Sequence, residues 1–66
     1  MIEERIKLHE LCEKKNIRIE GMDHLVEYYM KSLGWSESQS CKYATDLIED
    51  GTIDDILVLG SKENKN

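Results

Sequence analysis

The chain has no proline and only four glycines among its 66 residues. An all-β design needs many tight turns, and those two residues supply most of them. Packed helices with short connections are therefore the expected class. No stretch is Ser/Gly-rich or low in complexity. No apolar run approaches the roughly 18 residues of a membrane span. The opening stretch MIEERIKLHE is charged and lacks the apolar segment of a signal peptide. There are two cysteines, Cys12 and Cys41. They fit reduced, partly buried thiols better than a disulfide, so a cytoplasmic location is expected.

Several chemistries lack their signatures. There is no glycine-rich phosphate loop, no nucleophile elbow and no HExxH pair. A chain this short also has little room for an enclosed pocket of about 300 Å³ or more. Enzyme activity and bound cofactors are therefore not expected. EDGTIDD does not alternate its oxygens as an EF-hand loop does, which excludes that calcium site. HELC puts His9 and Cys12 one turn apart, and His24 and Cys41 would complete a zinc-type ligand set. The spacing is not that of a zinc finger, so two buried thiols and two surface or boundary histidines are the expectation instead.

What is present is charge, unevenly spread. The net charge is −5. Residues 1–35 hold seven acids and six bases, 36–60 hold six acids and one base, and 61–66 hold one acid and two bases, giving −1, −5 and +1. The acidity thus belongs to one region, which repels phosphate and attracts basic protein surfaces.

The apolar pattern predicts an all-α fold, a small orthogonal four-helix bundle over residues 1–60 with a polar tail at 61–66. A first helix is expected at about 2–15, with Met1, Leu8, Leu11 and Cys12 on one side. Ile2 and Ile6 lie on an adjacent side, and an arc this wide means either neighbours gripping the helix on two sides or a self-association surface and a homodimer. Asn16 is the stop, and IRI is an extended link that drops Ile17 and Ile19 into the core. A second helix at about 22–33 turns Met22, Leu25, Val26, Tyr29, Met30 and Leu33 inward at i, i+3, i+4, i+7 spacing. Tyr28 and His24 face solvent. Gly34 is the C′ residue, and Trp35 folds back on Met30. SESQ is a capping box opening a third helix at about 37–50, with Cys41, Ala44, Leu47 and Ile48 inward and Tyr43 flanking. Gly51 ends it. Thr52 caps a fourth helix at about 53–59, whose ILVL run could equally be a strand.

The stretch LGWSESQSCKYATDLIEDGTI, 33–53, resembles the helix-turn-helix core of winged-helix regulators. Leu33, Gly34, Trp35, Ser36, Leu47, Glu49, Gly51 and Ile53 fall at matching distances. That resemblance implies a DNA-binding regulator whose third helix presents Ser36, Ser38, Gln39, Lys42 and Tyr43 to a groove. Ser40 stands where that family usually buries valine, and Asp46 and Asp50 stand where bases are frequent. The same stretch is similar to the three-helix ubiquitin-associated (UBA) module, with LGW and GTI as the two turns that would serve partner binding. The size and lack of catalytic motifs also resemble those of small bacterial, phage or mobile-element regulators.

The acids separate into two groups. Asp54 and Asp55 occupy the expected first turn of a helix, where negative charge meets the positive dipole end. Asp46, Glu49 and Asp50 crowd the C-terminal end of the third helix, where acids cost about 0.3–1 kcal/mol each. Lys42, four residues before Asp46, offers weak relief in the poorer orientation. DNA affinity rests mainly on neutralising phosphates, and this helix has Lys42 alone for that. The expected function is therefore a small acidic protein-binding module, an adaptor, inhibitor or regulator of a larger protein with a basic surface. Its contact residues would be Asp46, Glu49, Asp50, Asp54 and Asp55, with Tyr28, Trp35 and Tyr43 as aromatic anchors. DNA binding and structural homo-oligomerisation are the alternatives.

Overall fold

The computed structural model describes residues 1–52, and within them the chain is helical with no strand. Helix α1 spans Glu3–Lys15, α2 spans Ile19–Leu33 and α3 spans Glu37–Glu49. Three of the four expected helices are thus present. The fourth, at 53–59, and the tail at 61–66 lie outside the described residues, so the count of four is not met within them. No helix among the described residues is long and apolar enough to cross a membrane.

Each helix end follows from its residues. Asn16 takes the left-handed conformation after α1, with φ 63°, and its N–H reaches the carbonyls of Cys12 and Glu13. Asn tolerates that region better than most side chains do. The link is shorter than IRI. Only Ile17 and Arg18 are non-helical, and α2 begins at Ile19, three residues before the expected Met22. Glu20 favours the earlier start, since a carboxylate in the first turn meets the positive end of the helix. Gly34 ends α2 at φ 73°. The Gly34 and Trp35 N–H groups both reach back to the Tyr29 carbonyl, which turns the chain sharply at the end of α2. Ser36 opens α3 as expected, its Oγ accepting the Gln39 N–H at 3.1 Å. Gly51, at φ 88°, ends it.

Helix α3 is central, packed against both α1 and α2, while α1 and α2 meet each other far less. The core is Leu8 and Cys12 of α1, Ile17 of the link, Met22 and Val26 of α2, and Cys41, Ala44 and Ile48 of α3. Leu11, Ile19, Leu25, Met30 and Leu47 pack around it half-buried. Two expected core residues are corrected. Met1 is 80% exposed, because the helix starts after it and Ile2 is already the N-cap. Leu33 is 50% exposed although it continues the α2 stripe, because it is the final residue of that helix. A third difference is Ser40, fully buried in the first turns of α3. Its Oγ donates to the Ser36 carbonyl at 2.8 Å, so burial leaves no polar group unpaired.

Candidate functional site

Three aromatic residues singled out from the sequence come together around a fourth. The Gly34 turn folds Trp35 back onto α2, where its ring meets Tyr29 at 5.3 Å between centroids. It therefore rests on Tyr29, the residue beside the expected Met30. Tyr43 of α3 meets Tyr29 at 5.3 Å and Trp35 at 5.3 Å, both edge to face. Tyr28 adds an edge contact to Tyr29 at 5.9 Å. Such offset and T-shaped pairs are the favoured aromatic geometry. Tyr29 is the buried hub, and its hydroxyl is pushed to a higher pKa by burial and by Tyr43 and Tyr28. Tyr28 and Tyr43 stay 56% and 43% exposed, and Trp35 is half-buried. The cluster is anchored below and open above.

The acids of α3 continue from this cluster. Residues three, four and seven apart share a helix face, which places Asp46 and Asp50 on the stripe of Tyr43. Gln39 lies on the same stripe, and all four side chains are exposed. Glu49, also exposed, flanks Asp46. None of the ion pairs among the described residues involves Asp46, Glu49 or Asp50. The last turn of α3 carries no basic residue. Asp50 does have a local structural role, since its Oδ1 accepts the Thr52 N–H at 3.0 Å. That hydrogen bond holds the Asp50 carboxyl below the usual carboxylate range. Asp54 and Asp55 lie outside the described residues.

A second polar cluster had no local signal. Arg5 of α1 donates from Nη1 to Asp23 of α2 at 2.9 Å and from Nε to Glu37 of α3 at 3.0 Å. His9 Nε2 lies 2.8 Å from the same Asp23 oxygen. One guanidinium therefore joins all three helices. Burial alone would raise the Asp23 carboxyl pKa, but the hydrogen bonds from His9 and Arg5 bring it below the ordinary value. Burial likewise opposes the Arg5 charge, and Glu37 and Asp23 more than restore it.

The zinc-type set does not assemble. His9 is engaged with Asp23, His24 is exposed, and Cys12 and Cys41 are fully buried. No three metal-binding side chains converge among the described residues. Burial pushes the Cys12 thiol up to about 11, and burial also raises Cys41. Buried thiols of this kind are inert. A shallow open groove of about 260 Å³ lies along the surface where α1 and α3 meet, lined by Glu4, Lys7, Lys42 and Thr45.

The side chains of the DNA-reading alternative, Ser36, Ser38, Gln39, Lys42 and Tyr43, are exposed. Ser36 is committed to its cap, and Tyr43 packs in the aromatic cluster while staying exposed. Among the bases, Arg5 is held inside the bundle by Asp23 and Glu37, while Lys14, Lys15 and Arg18 are exposed. The expected self-association side of α1 leaves Ile6 41% exposed and Ile2 half-buried. No family model, curated protein or solved structure matches the chain.

Proposed function

We propose that this chain is a protein-binding module acting as an adaptor, inhibitor or regulator, with no catalytic role of its own. Its contact surface is the aromatic cluster of Tyr28, Trp35 and Tyr43 together with Asp46 and Glu49. The observation that carries the reading is the clustering. Three aromatic residues from two helices and a turn share one hub, and two of them remain about half exposed. Aromatic side chains dominate interface energetics because they bury much area at little entropic cost. The adjoining carboxylates select a basic partner surface and raise its rate of encounter. Asp50 is a weaker member than the sequence suggests, since its carboxylate already accepts the Thr52 N–H.

Affinity capture from the native host tests this reading. Wild-type protein should retain a defined partner, and Asp46→Lys with Glu49→Lys should release it. Capture unchanged by both substitutions would leave those acids as a solvating face.

Two other readings have specific support. Exposed Ser38, Gln39 and Lys42 on α3 suit a helix-turn-helix regulator. Sequence-specific mobility shift at physiological salt would establish that reading and remove the acidic-adaptor one. Exposed Ile6 suits pairing of two copies through α1. Sedimentation that shows a monomer at high concentration removes it.

A further inference from the structure

The open side of the aromatic cluster poses a narrower question than whether it binds protein. Tyr43, Asp46 and Asp50 lie at i, i+3 and i+7 on α3, so the stripe runs about 10 Å along the helix. One end offers aromatic rings and the other offers carboxylate oxygens. Asp46 is without a cationic partner among the described residues, although Lys42 stands one turn before it. Phosphate is a poor occupant here, because Asp46, Glu49 and Asp50 repel it. A purely apolar occupant would leave the same carboxylates desolvated and unpaired. A cation with an apolar, stackable face meets both ends at once.

We infer that the occupant is an arginine-bearing helical segment of a partner protein, with one guanidinium stacked against the Tyr43 ring and paired with the Asp46 carboxylate. This inference rests on the protein-binding reading and names its ligand chemistry. The guanidinium is planar, weakly hydrated and forked, so it can stack on an aromatic ring and still donate twice to one carboxylate. The lysine ammonium is a compact, strongly hydrated charge that does neither well. A helical segment with arginines one turn apart matches the spacing from Asp46 to Glu49, the two carboxylates of α3 without a hydrogen-bond or ion-pair partner among the described residues. Tyr28 and Trp35 then border the apolar side chains of that segment.

Trp35 is the chain's single tryptophan, so its emission reports on this surface directly. The test titrates the full chain with a short alanine-based helical peptide bearing arginines on one face. A lysine twin of equal charge is the comparison. The arginine peptide should shift Trp35 emission and bind about threefold or more tighter than its twin, as an added ring contact implies. Asp46→Asn should weaken it by about tenfold, as loss of a paired charge does. Tyr43→Leu, which keeps an apolar side chain in place, should erase the preference for arginine over lysine. Equal affinity for the two peptides overturns the guanidinium inference and leaves the basic-partner reading standing. Binding of neither peptide also overturns it, and the basic-partner reading is then decided by capture with the Asp46→Lys and Glu49→Lys controls.

Discussion

Arg5 of α1 and Asp23 of α2 form an ion pair at 2.9 Å across the two helices that otherwise meet least. The Arg5 side chain is only 12% exposed and also reaches Glu37. Arg5→Met keeps the stem's packing and removes both charged hydrogen bonds. It leaves Asp23 and Glu37 facing an apolar group. A loss of about 2 kcal/mol in unfolding free energy is expected, measured by urea denaturation, the usual size for charged hydrogen bonds of this kind. A loss under half that would mean water replaces the clamp.

The same pair sets an acid limit. The Asp23 carboxyl has a folded pKa below its ordinary 3.8. A depressed folded value means that its contribution is complete above the unfolded pKa. It is lost as pH falls through the folded one. Wild-type stability should therefore decline below about pH 4, as this titration begins. In Asp23→Asn that part of the decline should be missing, although the variant is less stable at neutral pH. Parallel acid-unfolding curves would show that other carboxylates govern the response.

The α2–α3 turn makes a separate prediction. Gly34 adopts φ +73°, and an added Cβ would meet nothing within 4 Å. The cost of Gly34→Ala is thus backbone strain alone, about 1 kcal/mol. Because this turn carries Trp35 onto Tyr29, the tryptophan emission should change together with the thermal midpoint. Unaltered emission would separate the turn from the aromatic cluster.

Much of this architecture was legible because helical periodicity is local. Leu8, Cys12, Met22, Val26, Cys41, Ala44 and Ile48 fall on the stripes that the sequence marks, and all are buried. Leu33 misled because a stripe states direction and not whether the final residue of a helix is covered. The Arg5 clamp was not legible at all. Its partners lie 18 and 32 residues away, and nothing in the local pattern pairs them. Tyr28, Trp35 and Tyr43 stood out singly, but their meeting on Tyr29 depends on the tertiary fold. The bond from the Thr52 N–H to Asp50 did have a signal. Asp before Gly-Thr is a common Asx-turn arrangement, with the side chain accepting an N–H two residues on.

Ser40 tests the winged-helix resemblance at the position where that family usually buries valine. Here the site is fully buried, with a hydroxyl bonded to the Ser36 carbonyl, which also accepts the Ser40 N–H at 3.0 Å. Ser40→Ala leaves that carbonyl satisfied, so its cost should stay under about 1 kcal/mol. Ser40→Val adds volume to a site sized for serine and should cost about 1–3 kcal/mol. A stabilising Ser40→Val, seen as a higher thermal midpoint, would mean that α3 can pack as it does in that family.

The acids of α3 join stability to the proposed binding surface with opposite signs. Asp46 and Glu49 lie near the negative end of the helix dipole without a cationic partner among the described residues, an arrangement that costs folding energy. Asp46→Asn and Glu49→Lys should each raise the unfolding free energy by about 0.3–1 kcal/mol at low salt. Asp50→Ala should not, because it removes the carboxylate that accepts the Thr52 N–H. Residues retained for contact are often those whose replacement stabilises the fold. If Asp46→Asn is both more stable and weaker in partner capture, the carboxylate serves binding at the expense of the helix. If the same substitution destabilises the protein, Asp46 has a structural partner and leaves the proposed surface, which then rests on the aromatic cluster and Glu49.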